Sequence, residues 1–366
     1  MIERNRSGPP RDETAAYDRA DAFRRRQPRL TDDVITLAHG AGGSASAALL
    51  EAVFLGAFGN PLLDPLGDSA VLPVPDGERL AFTTDSYVVT PLHFAGGSIG
   101  HLAVHGTVND LAVMGAVPRW LAVAFVLEEG LPIDELRGVV EDMRAAAETA
   151  GVALVTGDTK VVPRGAADRM FVTTSGVGTI PRGRELGASL VRPGDAVLLS
   201  GTMGQQGMAV LLARGDLAIE ADIASDTAPL AGLVSDLLAA APGTRWMRDA
   251  TRGGVGTVCN ELSRTADVGV VLQEEALPVL PVVRGACDLL GIDPLYVANE
   301  GLLVAVVPAE ECDVALAALR AHPLGSHAAM VGEIVADPVG IVALRTSFGG
   351  TRLVDMLVGD PLPRIC

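Results

Sequence analysis

Val152-Ala-Leu-Val-Thr-Gly-Asp-Thr-Lys160 is the stretch on which the reading of the fold turns. A short apolar run that ends on Gly-Asp-Thr-Lys reads as a strand delivering an acid and a base to the loop at its end. The form recurs on either side. Leu80 to Thr83 runs into Thr84-Asp85-Ser86, Gly67-Asp68-Ser69 leads into Ala70 to Val74, and further strand-like runs lie at Ala122 to Leu127 and Met170 to Gly176. Between them, Ile99 to Met114 and Asp134 to Thr149 carry apolar residues at three- and four-residue spacing, the second entered through Pro132, which predicts helices. The class is therefore α/β, of the α+β kind, with acidic loops at strand ends.

Further along, Pro181-Arg-Gly-Arg184 and Val191-Arg-Pro-Gly-Asp195 bracket a change of register, and Ala196 to Ser200 opens a second strand and helix series. A chain of 366 residues suits two domains of ordinary size, and the boundary is expected near Gly187. Residues 34–186 form the first domain, which starts at Val34-Ile-Thr-Leu37, and residues 187–344 form a second α/β domain. Residues 345–366 read as an extended tail, because Pro361 and Pro363 keep its end out of any helix and Cys366 stands at its tip. Residues 1–33, with the run Arg24-Arg-Arg26 and no hydrophobic period, read as a solvated, mobile extension.

A formal charge of -17 with no basic cluster argues against a nucleic-acid partner. No apolar run reaches the roughly 20 residues of a membrane span, and no signal core is seen. Cys259, Cys287, Cys312 and Cys366 are far apart without a CxxC pair, which fits a reducing cytoplasm better than a disulfide framework or a zinc site.

The acidic loops are Gly67-Asp68-Ser69, Thr84-Asp85-Ser86, Asn109-Asp110, Gly157-Asp158-Thr159-Lys160 and Arg248-Asp249-Ala-Thr-Arg-Gly-Gly254. Taken singly, an Asp in such a loop is a helix cap or turn residue. As a set they offer the hard oxygen ligands that magnesium shares with substrate phosphates. His39-Gly-Ala-Gly-Gly43 and Arg252-Gly-Gly254 offer backbone N–H groups to a phosphate, or are ordinary glycine turns, and neither matches a Walker motif. His101 and His105 share a helix face without the Glu of a zinc protease motif and read as structural.

Those loops, together with Phe82-Thr-Thr-Asp-Ser86, Gly106-Thr-Val-Asn-Asp110, Met247-Arg-Asp-Ala-Thr-Arg-Gly-Gly254, Ala298-Asn-Glu-Gly301 and Leu362-Pro-Arg-Ile-Cys366, resemble the hydrogenase-maturation carbamoyl dehydratase family, HypE, from about residue 35 to the last. The resemblance implies the two-domain fold of the aminoimidazole ribonucleotide synthetase superfamily, ATP and Mg2+ as cofactors, and a homodimer formed through the N-terminal, ATP-binding domain. Carried over, Asp68, Asp85, Asp110 and Asp249 become magnesium ligands. Asn109, Asp158, Gly42 and Gly43 stand beside them at the nucleotide, and Lys160 lies near the reacting groups. Two departures are Gly204-Gln-Gln-Gly207, where the family generally has Gly-Asp-His-Gly, and Ala250, where proline is usual.

The resemblance also implies the chemistry. A carbamoyltransferase partner loads Cys366, ATP activates the carbamoyl oxygen, and loss of phosphate with a proton leaves a thiocyanate whose cyano group passes to an iron-carrying scaffold complex. Glu300 is the candidate base, with a turn or ion-pair role equally open for it. Other enzymes of the superfamily share the acidic loops. Selenium chemistry would want an early reactive cysteine, and none precedes Cys259. A carrier that keeps the thiol but turns over ATP weakly is the other alternative, motivated by Gln205 and Gln206.

Overall fold

The computed structural model describes residues 30–31, 43–49, 51, 66, 70–73, 79–215 and 221–357. The expected strand at Val34 to Leu37, Gly42, Asp68, Cys366 and all but two residues at the end of the N-terminal extension lie outside them.

The first half contributes α1 (Ser44–Leu49), β1 (Ala70–Pro73), β2 (Arg79–Tyr87), the hairpin β3 (His93–Phe94) and β4 (Gly97–Ser98), α2 (Ile99–Val113), β5 (Val117–Glu128), α3 (Ile133–Ala150), β6 (Ala153–Val162) and β7 (Met170–Ile180). Five of these strands make one sheet in the order β1-β2-β7-β5-β6, antiparallel except for the parallel pair β5 and β6. The strand and helix expectations of the opening stretch and its neighbours hold here, but three of the expected acidic loops are not loops: Asp85 lies within β2, Asp158 and Lys160 within β6, and Asn109 and Asp110 within α2, because the strand and helix hydrogen bonding runs on through these polar residues. Ser98 caps α2 by accepting from the Gly100 N–H, and Gly151 closes α3 in a left-handed conformation.

α2 decides how the halves meet. Of its residues only His101 and Asp110 are not buried, which is the pattern of a helix enclosed on all sides rather than of an amphipathic surface helix. One side packs Leu102 and Val108 with Leu121 and Val172 of the first sheet. The other puts Ala112 and Val113 among Leu198, Leu233 and Met247 of the second half.

The second half runs through β8 (Ala196–Leu199), α4 (Gln205–Ala213), α5 (Ala231–Ala240), β9 (Trp246–Asp249), α6 (Gly254–Thr265), β10 (Gly269–Gln273), α7 (Pro281–Leu290), β11 (Leu303–Val307), α8 (Cys312–Ala321), β12 (Ala329–Val335), β13 (Val342–Arg345) and β14 (Thr351–Leu353). Its strands form a sheet in the order β14-β13-β10-β12-β8-β11-β9. β8 and β11 are wholly buried because both faces are covered. Val197, Leu199, Val304 and Val306 pack on α6, and Ala196, Leu198, Leu303 and Val307 pack on α5 and α8. A strand covered on both faces reads as a continuous apolar run.

Residues 345–353, expected to open the tail, are strand and hairpin instead. Arg345 ends β13, and β14 returns against it through a turn closed by Gly349 and Gly350, with Thr351 opposite Arg345. The Gly-rich composition that reads as a tail is the loop of a hairpin. The chain remains described to Leu357, whose carbonyl accepts from the Ser44 N–H at 3.1 Å.

Candidate active site

β2 supplies one wall of the site. Its period of two buries Ala81, Thr83 and Tyr87 toward α2 and exposes Phe82, Thr84 and Ser86 on the opposite face. Asp85 has the inward parity and lies beside Tyr87, whose hydroxyl stands 3.4 Å from Asp85 Oδ2 and 3.3 Å from Thr107 Oγ1. Asp110, on the last turn of α2, accepts from Thr83 Oγ1 at 2.7 Å. Asp85, Tyr87 and Asp110 therefore face one region at the end of α2. The Tyr87 hydroxyl is pushed well above its ordinary value by burial and then by the negative charges of Asp85, Asp110 and Glu300.

The second domain supplies the opposite wall. Asp249 is the last residue of β9, buried and paired in register with Leu303, and the turn after it leads directly into α6, whose first turn has no side-chain cap. Uncapped N–H groups there face an anion favourably. Glu300 is buried just before β11. Desolvation, followed by Asp249, Asp226 and Asp85, pushes its carboxyl well above the usual range, with Arg252 acting against them. Asp226, half-buried and turned onto the same loop, is raised to about 6 by desolvation against several backbone hydrogen bonds.

The structure thus brings Asp85, Asp110, Asp249 and Glu300 to the junction of the two domains, and it adds Tyr87 and Asp226, which the sequence reading missed. Tyr87 was within reach of that reading, since it lies two residues from Asp85 on a strand and so shares its face. Asp226 was not, because Ser225-Asp-Thr-Ala-Pro229 has no periodicity and meets Glu300 only through tertiary packing.

Four expectations find their residues elsewhere or differently occupied. Asn109 is buried, and its amide is spent on the protein: Nδ2 donates to Ala228 O at 3.0 Å and Glu300 O at 3.2 Å, and Oδ1 accepts from the Leu230 N–H at 2.7 Å. Asp158 and Lys160 sit on β6, exposed at the sheet edge, and pair with each other at 2.7 Å. Lys160 holds the Asp158 carboxylate below its ordinary range. Thr174, Val123 and Gly157 continue the row of Asp85 across β7, β5 and β6. With strands about 4.8 Å apart, the β6 edge lies about 14 Å from Asp85 within one chain. Gly43 is buried against Leu357, where an added Cβ would collide with the Leu357 carbonyl, so what it touches is the base of the tail.

His105 is buried with Nδ1 3.2 Å from Thr227 Oγ1, Nε2 unpartnered, and its pKa lowered to about 3 by desolvation and then by His101. Its neutral, enclosed ring agrees with a structural role. Gln206 is buried and accepts from Ser225 Oγ, and Gln205 accepts from Thr202 Oγ1, so the family departure at this loop leaves it anchored. Cys259, Cys287 and Cys312 are free and buried, and burial pushes their thiols up, Cys259 to about 12 and Cys287 to about 11. Among the described residues no three acid, imidazole or thiol groups converge to ligate an ion unaided. A magnesium ion shared between one or two carboxylates and bound phosphates fits a donor set of this kind. A cation placed there would offset the carboxylate charges that add to desolvation at Glu300. Among the described residues no helix is long and apolar enough to cross a membrane.

Residues 66–180 match the family model "AIR synthase related protein, N-terminal domain", and residues 192–345 match its C-terminal counterpart. The chain is 56% identical over 339 residues to the carbamoyl dehydratase HypE of Rhodobacter capsulatus, covering 92% of this chain and 99% of that one. Among solved structures, a HypE–HypF complex superposes with a TM-score of 0.80 at 43% identity over 85% of this chain and 100% of that chain. The hydrogenase maturation protein HypE in complex with ATP does so at 0.76 and 46%, over 91% and 100%.

Proposed function

The chain belongs to the carbamoyl dehydratase HypE family, within the AIR synthase-related fold, and is an ATP-dependent dehydratase of hydrogenase maturation; from that premise we propose that its substrate is a carbamoyl group carried on Cys366, which it converts to a thiocyanate. The observation that carries the reading is the convergence of Asp85 and Asp110 from one domain with Asp249 and buried Glu300 from the other. Nucleotide phosphates, a divalent ion and a proton acceptor can meet at such a junction. The buried thiols support Cys366 as carrier, because a thiol raised to about 11 or 12 inside a core supplies almost no thiolate.

The balance of the step follows from the thiocarbamate. Its carbonyl oxygen attacks the γ-phosphorus of ATP and ADP leaves. One N–H proton is given up as the phosphorylated imidate, S–C(OPO3)=NH, forms; its C–O bond then breaks as phosphate departs, and the second N–H proton goes to a carboxylate, leaving S–C≡N. Asp85, Asp110 and Asp249, with Asp68 from outside the described residues, would hold Mg2+, which supplies positive charge to the phosphates. The N–H groups at the start of α6 and the Arg252 guanidinium bind and orient the anion. Glu300 takes the proton, for which it must first be ionised.

Lys160, Asp158 and the exposed face bearing Phe82, Trp120 and Val155 fit a homodimer in which β6 meets a second copy, so that the Lys160 ammonium reaches the phosphates from the partner subunit. Gly42, outside the described residues, and Gly43 would offer backbone N–H groups to the nucleotide. A carbamoyltransferase of the HypF kind loads Cys366, an iron-carrying scaffold accepts the cyano group, and the cytoplasm is the compartment that keeps the thiols reduced.

Intact-protein mass spectrometry of the Cys366-carbamoylated chain, before and after Mg-ATP, tests the proposal. Loss of one water from the terminal peptide, with phosphate release, is expected, and Cys366→Ala should take up no carbamoyl group. Verified carbamoylation with bound ATP and no mass loss would overturn it.

A further inference from the structure

Glu300 is followed by Gly301 and then β11, so no helix start is available to fix its backbone. What fixes it is a loop 74 and 75 residues away in sequence. Both carboxylate oxygens of Asp226 accept from the Glu300 N–H at 3.2 Å, and Oδ2 also accepts from the Gly301 N–H at 3.0 Å. The Ala228 N–H donates back to the Glu300 carbonyl at 3.4 Å. The approach is close enough that a Cβ on Gly301 would overlap the Asp226 carbonyl, so only glycine fits there.

The loop is itself tied to both domains. The Ser225 N–H donates to Ala95 O at 2.8 Å, Ser225 Oγ donates to buried Gln206, and Thr227 Oγ1 meets His105 Nδ1. Asn109 then spans Ala228 O and Glu300 O. A turn aspartate bonds its own backbone a residue or two away. Asp226 bonds its own backbone as well, but it also reaches across the fold to the peptide that carries Glu300.

We propose that Asp226 is a positioning residue of the dehydration step, holding the Glu300-Gly301 backbone so that the Glu300 carboxyl is fixed among Asp85, Asp249 and Arg252. This rests on the reading of Glu300 as the proton acceptor. A neutral amide is a poor replacement here. With its oxygen in the place of Oδ2, which accepts from both N–H groups, Asn would turn its own NH2 to the Glu300 N–H in the place of Oδ1.

The test compares the wild type, Asp226→Asn, Asp226→Glu, Glu300→Gln and the Asp226→Asn/Glu300→Gln double variant, each as the full carbamoylated chain with Mg-ATP. Single-turnover water loss and ATP affinity are measured on each. Asp226→Asn is expected to slow water loss at least tenfold with the ATP Kd within threefold of wild type. Asp226→Glu, which keeps the charge but lengthens the reach, should be slowed as well, and it carries the test if the Asn variant does not fold. The double variant should be no slower than Glu300→Gln. Water loss within threefold of wild type in either Asp226 variant, beside an inactive Glu300→Gln, overturns the positioning role. A parallel collapse of ATP affinity in Asp226→Asn does so too. Glu300→Gln at the wild-type rate would instead remove Glu300 as acceptor and the proposal with it.

Discussion

Asn109→Ala separates a clamp from a ligand. In the sequence Asn109 sits beside Asp110 and reads as part of the nucleotide site, whereas in the fold its amide closes three hydrogen bonds to backbone groups of the second domain, at 3.0, 3.2 and 2.7 Å. Alanine leaves the Ala228 and Glu300 carbonyls without this donor and the Leu230 N–H without its acceptor, at a place where Asn109 is 1% exposed. Each buried group left unpaired costs about 1–3 kcal/mol. Partial relaxation and the 3.4 Å contact that the Ala228 N–H still makes with the Glu300 carbonyl keep the total near the lower end, at about 3–5 kcal/mol. At roughly 1.3 °C per kcal/mol for a chain of 366 residues, the thermal midpoint should fall by about 4–7 °C. Differential scanning calorimetry measures this, and ATP titration below the new midpoint should give a Kd within about threefold of wild type. A midpoint within about 2 °C of wild type, accompanied by loss of ATP binding, would refute the clamp and return Asn109 to the nucleotide.

His105 predicts a pH dependence whose sign follows from its depressed pKa. The ordinary value near 6.5 applies to the unfolded chain and about 3 to the fold, so the folded state binds fewer protons between them and stability falls as pH drops below 6.5. Between pH 7 and 4.5 this group alone accounts for roughly 2–3 kcal/mol. His101 and Thr227 are its polar neighbours, and His105→Leu should remove that part of the urea-midpoint shift; an unchanged shift would show that the ring titrates normally. Cys259, Cys287 and Cys312 should resist a thiol reagent in the native protein and react on unfolding. Labelling of any of the three at the unfolded rate in native buffer would contradict their burial.

The strands and helices of the first half were legible because their periods are unambiguous: β2 alternates over nine residues, and α2 and α3 keep helical spacing through whole turns. The register of β2 even places Asp85 and Tyr87 on one face, from local geometry alone. The hairpin at β13 and β14 was misread because Thr346 to Gly350 has the composition of a flexible tail, and only pairing with β10 and its neighbours gives such short strands a place.

By itself, then, the sequence determined the class of fold, the family resemblance and the residue types of the site, since propensity, periodicity and ordered motifs are local properties of the chain. Tertiary structure decided which carboxylates share a solvent-poor junction and which stand apart. It carried Asp158 and Lys160 to an exposed edge, turned Asn109 into a clamp, and brought Asp226 onto the Glu300 peptide. Burial and mutual charge raise Glu300 and Tyr87 above their ordinary values, and the charges involved lie far apart in sequence, as Asp85 and Glu300 do. No window along the chain contains that information, because desolvation and Coulomb energy depend on distance in space.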